Sequence, residues 1–244
     1  MNKAEKLPQN REKRLPILGH LAELRNRLIR CVIAVVVTTV VAFVFYHQLY
    51  DILIYPARDT GFIAIELTEI LGTTMRVCLT AGIIVAIPYI TYEFIMFVTP
   101  ALTPKEKKYV YLTLPWIALM FAGGVVFGYF ILIPPAVQFL IGFGNDIATP
   151  LPRISNYISL VTRILLAIGL VFELPVVSTF LARLGVINGK WLASKRKWAI
   201  VLAFVLAAII TPTWDPINQT LVAAPLIVLY ELSIWLARFF GKKR

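Results

Sequence analysis

Apolar residues along this chain come in long unbroken runs rather than in alternation. Six can be counted, spanning roughly Leu24–Tyr46, Thr68–Val98, Tyr109–Ile133, Ser155–Ala182, Trp198–Ile210, and a last one that opens on polar Asn218, Gln219 and Thr220 and ends near Trp235. About 20 apolar residues cross a bilayer as a helix, and backbone groups in lipid must be bonded within their own element, so runs of this kind predict helices rather than a barrel. Pro88 interrupts the second run, which predicts tilt, a kink, or an end lying in the interface. The fifth run holds thirteen apolar residues, which as a helix reach only about 20 Å against a hydrocarbon core of about 30 Å. The sixth also reads as short. Residues 47–67 and 134–156 are predicted as outer loops, and Gly123, Gly124 and Gly128 form a small-residue face suited to helix packing in the third span.

Composition and charge add the environment and the orientation. The chain has 244 residues, a mean hydropathy of +0.80 and a hydrophobic share of 59%, above the 45 to 50% or so of soluble domains. It is read as an all-α integral membrane protein forming one helical domain. The first run is not followed by a small-residue cleavage site and is read as a retained span. The net charge of +11 would suit nucleic acid, but its distribution explains it otherwise: 20 of the 24 Lys and Arg lie before or within the start of span one, in the loops after spans two and four, or at the C-terminal end. Only Arg58 and Arg153 fall in the opposite loops, so both termini are predicted cytoplasmic. Basic loops against anionic headgroups need no nucleic acid partner. Cys31 and Cys78 fall inside apolar runs and say little about redox compartment.

The chemistry-bearing residues are few. Glu173 lies within the fourth run, where an acid costs roughly 2.5 to 3.5 kcal/mol, and Pro175 loosens the same turn because it cannot donate to the carbonyl of Val171. Two readings stand: a protonated carboxyl bonded to an adjacent helix, or a functional group facing a partner, a headgroup or a water-filled recess. On the basic side, Glu23 precedes Arg27 by four residues and Glu106 is flanked by Lys105 and Lys107. Taken singly, these fit a surface helix pair and a solvated acid. No HExxH, paired-Cys or nucleotide-binding Gly-rich motif is present, so neither an enzyme activity, nor a metal, nor a cofactor is expected.

Five segments in one order are more specific: HLAELRNRL at the first span, FVTPALTPKEKK after the second, FGYFILIPPA ending the third, GLVFELPVV in the fourth and TPTWDPINQT before the sixth. Together they make the chain, from about Ile17 to Phe240, resemble the TatC family, the polytopic subunit of the twin-arginine protein translocase. The resemblance implies a cupped, glove-like bundle of six transmembrane helices in the bacterial cytoplasmic (inner) membrane. It implies binding of the twin-arginine signal peptides of folded precursors, with Glu23, Arg25, Phe97 and Glu106 at the signal-binding surface. The chemistry agrees, since a guanidinium presents a fixed fork of donors that carboxylates accept in pairs. Arg25 and Arg27 also read as topology anchors. Glu173, Asp215 and Gln219 are implied as intramembrane polar or partner contacts, although Asp215, followed by Pro216, also suits a helix cap.

The resemblance further implies single-span TatA/TatB-type partner subunits, self-association in a larger complex, contact with membrane lipid, and export driven by the proton-motive force. The expected organisation is a flexible leader over residues 1–16, the bundle over 17–240 and a basic tail over 241–244. Thr103, Pro104 and Lys105 depart from the usual lead into the loop acid, and TPTWDPINQ is one residue longer than in some relatives, which loosens the placing of Glu106 and Asp215. The competing class is a proton-coupled small-solute transporter with Glu173 as the titrating group, which would call for several polar groups converging at the membrane midplane.

Overall fold

The first run folds as a single long helix, α1 (Asn10–Val44), which begins ahead of Pro16 and so takes in part of the stretch read as a leader. A computed structural model of the chain describes residues 10–58, 60–98, 104–143, 151–211 and 215–241, with side chains for all of these but 10–18, 98 and 104–113. Valine-rich sequence such as CVIAVVVTTVV is a modest helix former in water, but in lipid the helix is the one conformation that pairs every backbone group locally. Val32, Ile33, Val36, Val37, Val40 and Val41 remain exposed along α1, a surface suited to hydrocarbon.

α1 packs along α3 (Glu69–Val98). The two backbones approach most closely at Gly82, where a Cβ would stand 2.3 Å from Thr39 Oγ1 and 2.7 Å from Thr39 N. Only glycine fits there. The Thr38 hydroxyl donates to the carbonyl of Ala34 or Gly82, each at 2.8 Å, tying the helices at the same level.

Part of the first predicted outer loop is helical. α2 (Tyr46–Ile54) and a 3₁₀ turn (Tyr55–Ala57) bury Leu53 and Ala57, and the hydroxyls of Tyr129 and Tyr157 donate to the carbonyls of Ile52 and Leu53 at 2.7 Å. The second outer loop begins later than predicted. α4 (Pro104–Phe127) passes through a π-helical turn, Gly128–Leu132, into α5 (Ile133–Gly142) without leaving the helical path. Pro134 and Pro135 stand in the first turn of α5, where a missing N–H is least costly and the wide π turn absorbs their rings.

The fourth run forms α6 (Ile154–Phe172) and α7 (Leu174–Leu184), which meet at Glu173; Gly185, with φ of 78°, closes α7 in the left-handed conformation. α8 (Gly189–Ser194) is capped by Asn188, whose side chain accepts from Trp191 N at 2.7 Å, and leads into α9 (Arg196–Ile210). α10 (Pro216–Phe240) has 25 residues, so the last span is not short: it continues past Trp235 because ARFF extends the helix. α9, which carries the fifth predicted span, has 15 residues and is short for a bilayer.

α6 is the centre of the core. Its Ile158, Val161, Ile164 and Ile168 are wholly buried against α3, α4, α5, α9 and α10 through residues such as Val77, Leu132, Ile133, Ala207 and Val222. Gly124 of α4 and Gly128 of the π turn face α6 as the small-residue pattern predicts, whereas Gly123 has nothing within 4 Å. Among the described residues, five segments are long and apolar enough to cross a membrane: Gly19–Val44, Glu69–Phe97, Leu114–Gly142, Ile154–Leu184 and Pro216–Phe240. Together with the helix-only architecture of the bundle, they make this an all-α membrane protein.

Candidate functional site

At the end of the bundle where α1 begins, the α1/α3 seam gathers acids and guanidiniums. Glu23 and Arg27 stand one turn apart on α1, and the Arg27 fork reaches Glu23 Oε1 through Nη2 at 2.6 Å and Nε at 3.1 Å. Its other arm, Nη1, donates to Oε2 of Glu93 on α3 at 2.8 Å. The Glu93 carboxylate is almost fully buried, and its Oε1 accepts from the Tyr89 hydroxyl at 2.9 Å and lies 3.7 Å from Arg30. His20 Nδ1 stands 3.7 Å from the second oxygen of Glu23, and the His20 ring stacks on Phe97 with centroids 4.2 Å apart and planes 12° from parallel. Glu23 and Phe97, named separately from the sequence, are thus joined through one imidazole.

Not every named residue enters this cluster. Arg25 points away and is exposed, with Asn26 Oδ1 at 3.5 Å. The side chain of Glu106 lies outside the described residues; its backbone belongs to the first turn of α4, where unpaired N–H groups favour an acid. Glu93 is the residue sequence reasoning missed. Its signal is an acid inside an apolar run, the same signal that singled out Glu173.

Glu173 stands at the junction of α6 and α7. It is 8% exposed, and neither carboxylate oxygen has a hydrogen-bond partner among the described residues. Its backbone stays paired, with its N–H donating to Leu170 O at 3.2 Å and its carbonyl accepting from Val177 at 2.9 Å. At the opposite end from the acid cluster, Asp215 accepts from the Asn218 N–H at 2.7 Å and caps α10. Gln219 reaches back to the carbonyl of Phe204 at 3.3 Å, while Asn218 is buried with its Oδ1 unbonded among the described residues. The cap accounts for Asp215 structurally.

A second ion-pair cluster ties the two predicted outer loops together. Arg153 Nη2 lies 3.0 Å from Glu69 and 3.2 Å from Glu66, and Glu69 also accepts from the Ser155 hydroxyl at 2.5 Å and from Ile65 N at 2.8 Å. Glu69, and after it Glu66, raises the pKa of the Arg153 guanidinium above its ordinary value. Ile63 exchanges backbone bonds with Pro152 and Ile154 beside it. Of the two arginines inside the spans, Arg76 bonds Ser159 on α6 and Arg163 is exposed. Among the described residues, no group of three or more His, Cys, Asp or Glu side chains is placed to hold a metal ion.

The sequence profile described as Sec-independent protein translocase protein (TatC) matches residues 19–225. The chain is 43% identical over 238 residues to the Sec-independent protein translocase protein TatC of Desulforapulum autotrophicum, covering 96% of this chain and 88% of that one. It is 39% identical to the protein of the same name from Carboxydothermus hydrogenoformans, covering 95% and 96%. Its fold matches a crystal structure of the twin arginine translocase receptor TatC in DDM with a TM-score of 0.83 at 40% identity, over 92% of this chain and all of that one. A further crystal structure of the same receptor matches with a TM-score of 0.79.

Proposed function

Because this chain belongs to the TatC family of Sec-independent protein translocase proteins, we propose that it docks the twin-arginine signal peptides of folded precursors on the acid cluster of the α1/α3 seam. It is a protein translocase component rather than a small-solute carrier. Glu23 and Glu106 supply carboxylates, and Phe97, held by His20, supplies an aromatic wall. The observation that carries this reading is the guanidinium already lodged between Glu23 and Glu93: two acids on neighbouring helices are spaced to accept one arginine fork from both sides.

In this reading the chain spans the bacterial inner membrane six times, α9 included, with both ends on the cytoplasmic side where its basic residues cluster. Residues 17–240 form the bundle between an N-terminal leader and a short basic tail. Glu173 is the contact for a polar group on a single-span TatA/TatB-type subunit, because a buried carboxyl without a bonding partner among the described residues calls for one from outside. Asp215 and Gln219 serve a similar partner at the far end. Several copies assemble, and transport draws on the proton-motive force without catalysis by this chain.

The test is site-specific photocrosslinking from positions 23, 97 and 106 to a precursor whose signal carries paired arginines. Crosslinks from all three that vanish when the arginine pair is changed to lysines support the site. Crosslinks indifferent to the pair, or retained in a Glu23→Ala, Glu106→Ala chain, reject it.

A further inference from the structure

We propose that Arg27 is a resident arginine that occupies the docking acids in the unloaded protein, so that a signal arginine binds by exchange for it. This rests on the reading of Glu23 as part of the docking surface. All four oxygens of Glu23 and Glu93 are engaged. Glu23 Oε1 accepts twice from Arg27, at 2.6 and 3.1 Å, and Oε2 faces His20. Glu93 Oε2 accepts from Arg27 at 2.8 Å, and Oε1 accepts from Tyr89 with Arg30 nearby. A second guanidinium needs paired acceptors, and neither acid offers a free pair while Arg27 is in place.

Charge leads to the same conclusion. Glu23 and Glu93 are already balanced by Arg27 and Arg30, so a cationic signal meets a cluster with no net attraction unless a resident cation leaves. Arg30 is 61% exposed and stands 3.7 Å from Glu93 alone, whereas Arg27 bonds both acids and is the cation whose place an incoming fork must take. The Glu93 side chain is 4% exposed and forms the inner wall, Arg27 is 17% exposed, and Glu23, at 34%, opens to the outside. Arg27 therefore lies between the buried acid and the entrance, and its flexible stem lets the guanidinium swing outward toward the charged interface.

The exchange also creates selectivity. An incoming arginine reproduces the two-acid fork that Arg27 gives up, whereas an incoming lysine replaces the charge but not the fork, so it displaces Arg27 poorly. Arg27 is thus a specificity-determining residue: it sets the threshold that arginine passes and lysine does not.

The test uses the full chain in detergent and fluorescent synthetic signal peptides carrying two adjacent arginines or two adjacent lysines. Arg27→Gln should bind the arginine peptide about tenfold tighter, the order of one charge-assisted contact no longer displaced, and should narrow the gap between arginine and lysine peptides. Arg27→Lys should shift both in the same direction by less. Were Arg27 only a strut between α1 and α3, its loss would loosen the seam and weaken binding, so unchanged or weaker binding in Arg27→Gln overturns the exchange. If that variant does not fold, Arg27→Lys decides alone: tighter binding supports the exchange and equal or weaker binding overturns it. Glu23→Gln is the control for the underlying reading. Undiminished arginine-peptide binding there removes the docking site and the exchange with it, whereas lost binding there beside unchanged binding in Arg27→Gln removes the exchange alone.

Discussion

Gly169 of α6 makes room for the ring of Phe121 on α4: a Cβ on the glycine would stand 2.6 Å from Phe121 Cε2. One turn away the relation is reversed, and a Cβ on Gly124 of α4 would stand 2.8 Å from Phe172 Cβ on α6. Each helix thus fits a phenylalanine against a glycine of the other. Without a hydrophobic driving force between helices in lipid, such close packing is the main source of cohesion. Gly169→Ala is expected to cost about 1–3 kcal/mol, because Phe121 is buried and has no space to move into. Adding Phe121→Leu should recover part of it. Thermal unfolding in detergent, comparing the single and double variants, measures both.

Glu173 gives a prediction of opposite sign. A buried carboxyl with no hydrogen-bond partner among the described residues destabilises the isolated chain, so Glu173→Leu should raise its unfolding free energy by about 1–3 kcal/mol. The same substitution should reduce co-purification of a single-span subunit. Glu173→Gln, which keeps polar atoms and removes the acid, should retain more of that association than leucine. A leucine variant less stable than the parent chain would mean that the carboxyl is bonded within the chain.

The Arg153 clasp makes a prediction about loop order. Arg153→Ala leaves Glu69 facing the Ser155 hydroxyl and the loop N–H groups without its cation, and frees Glu66. Limited proteolysis between residues 58 and 68 should then proceed several-fold faster. Arg153→Met combined with Glu69→Gln should be cut more slowly than Arg153→Ala, since no uncompensated charge remains.

Helix α9 predicts a lipid effect. Its 15 residues span about 22 Å, against a hydrocarbon core of about 30 Å. Val201, Leu202, Val205 and Ile209 are exposed along it and require a hydrocarbon environment. The protein reconstituted in short-chain lipid should therefore be more stable than in long-chain lipid, and spin-labelled lipid near α9 should report a locally thinned bilayer. Equal stability across chain lengths would refute the mismatch.

The site was legible in part, and for identifiable reasons. Glu23 and Phe97 could be named because they lie in short segments with family-like order, and the structure joins them through His20. Glu93 could not be paired from sequence, because its cation is 66 residues away on α1. Glu69 was hidden the same way, its partner Arg153 lying 84 residues on. Pro134 and Pro135 read as a loop because a proline pair ordinarily ends a helix, and the π turn that accommodates them has no one-dimensional signature.

Long apolar runs and clustered Lys and Arg were enough, through the free energy of moving side chains between water and hydrocarbon, to place this chain in a membrane as a helical bundle. They also exposed Glu173, because an acid in such a run is conspicuous wherever the helix packs. Which acid meets which arginine was decided only in three dimensions. Most faces of these runs are apolar, so sequence periodicity does not fix how each helix is rotated against its neighbours, and glycine contacts such as Gly82–Thr39 and Gly169–Phe121 set that rotation. Once set, it brings Arg27 between Glu23 and Glu93 and leaves Glu173 without a hydrogen-bond partner among the described residues.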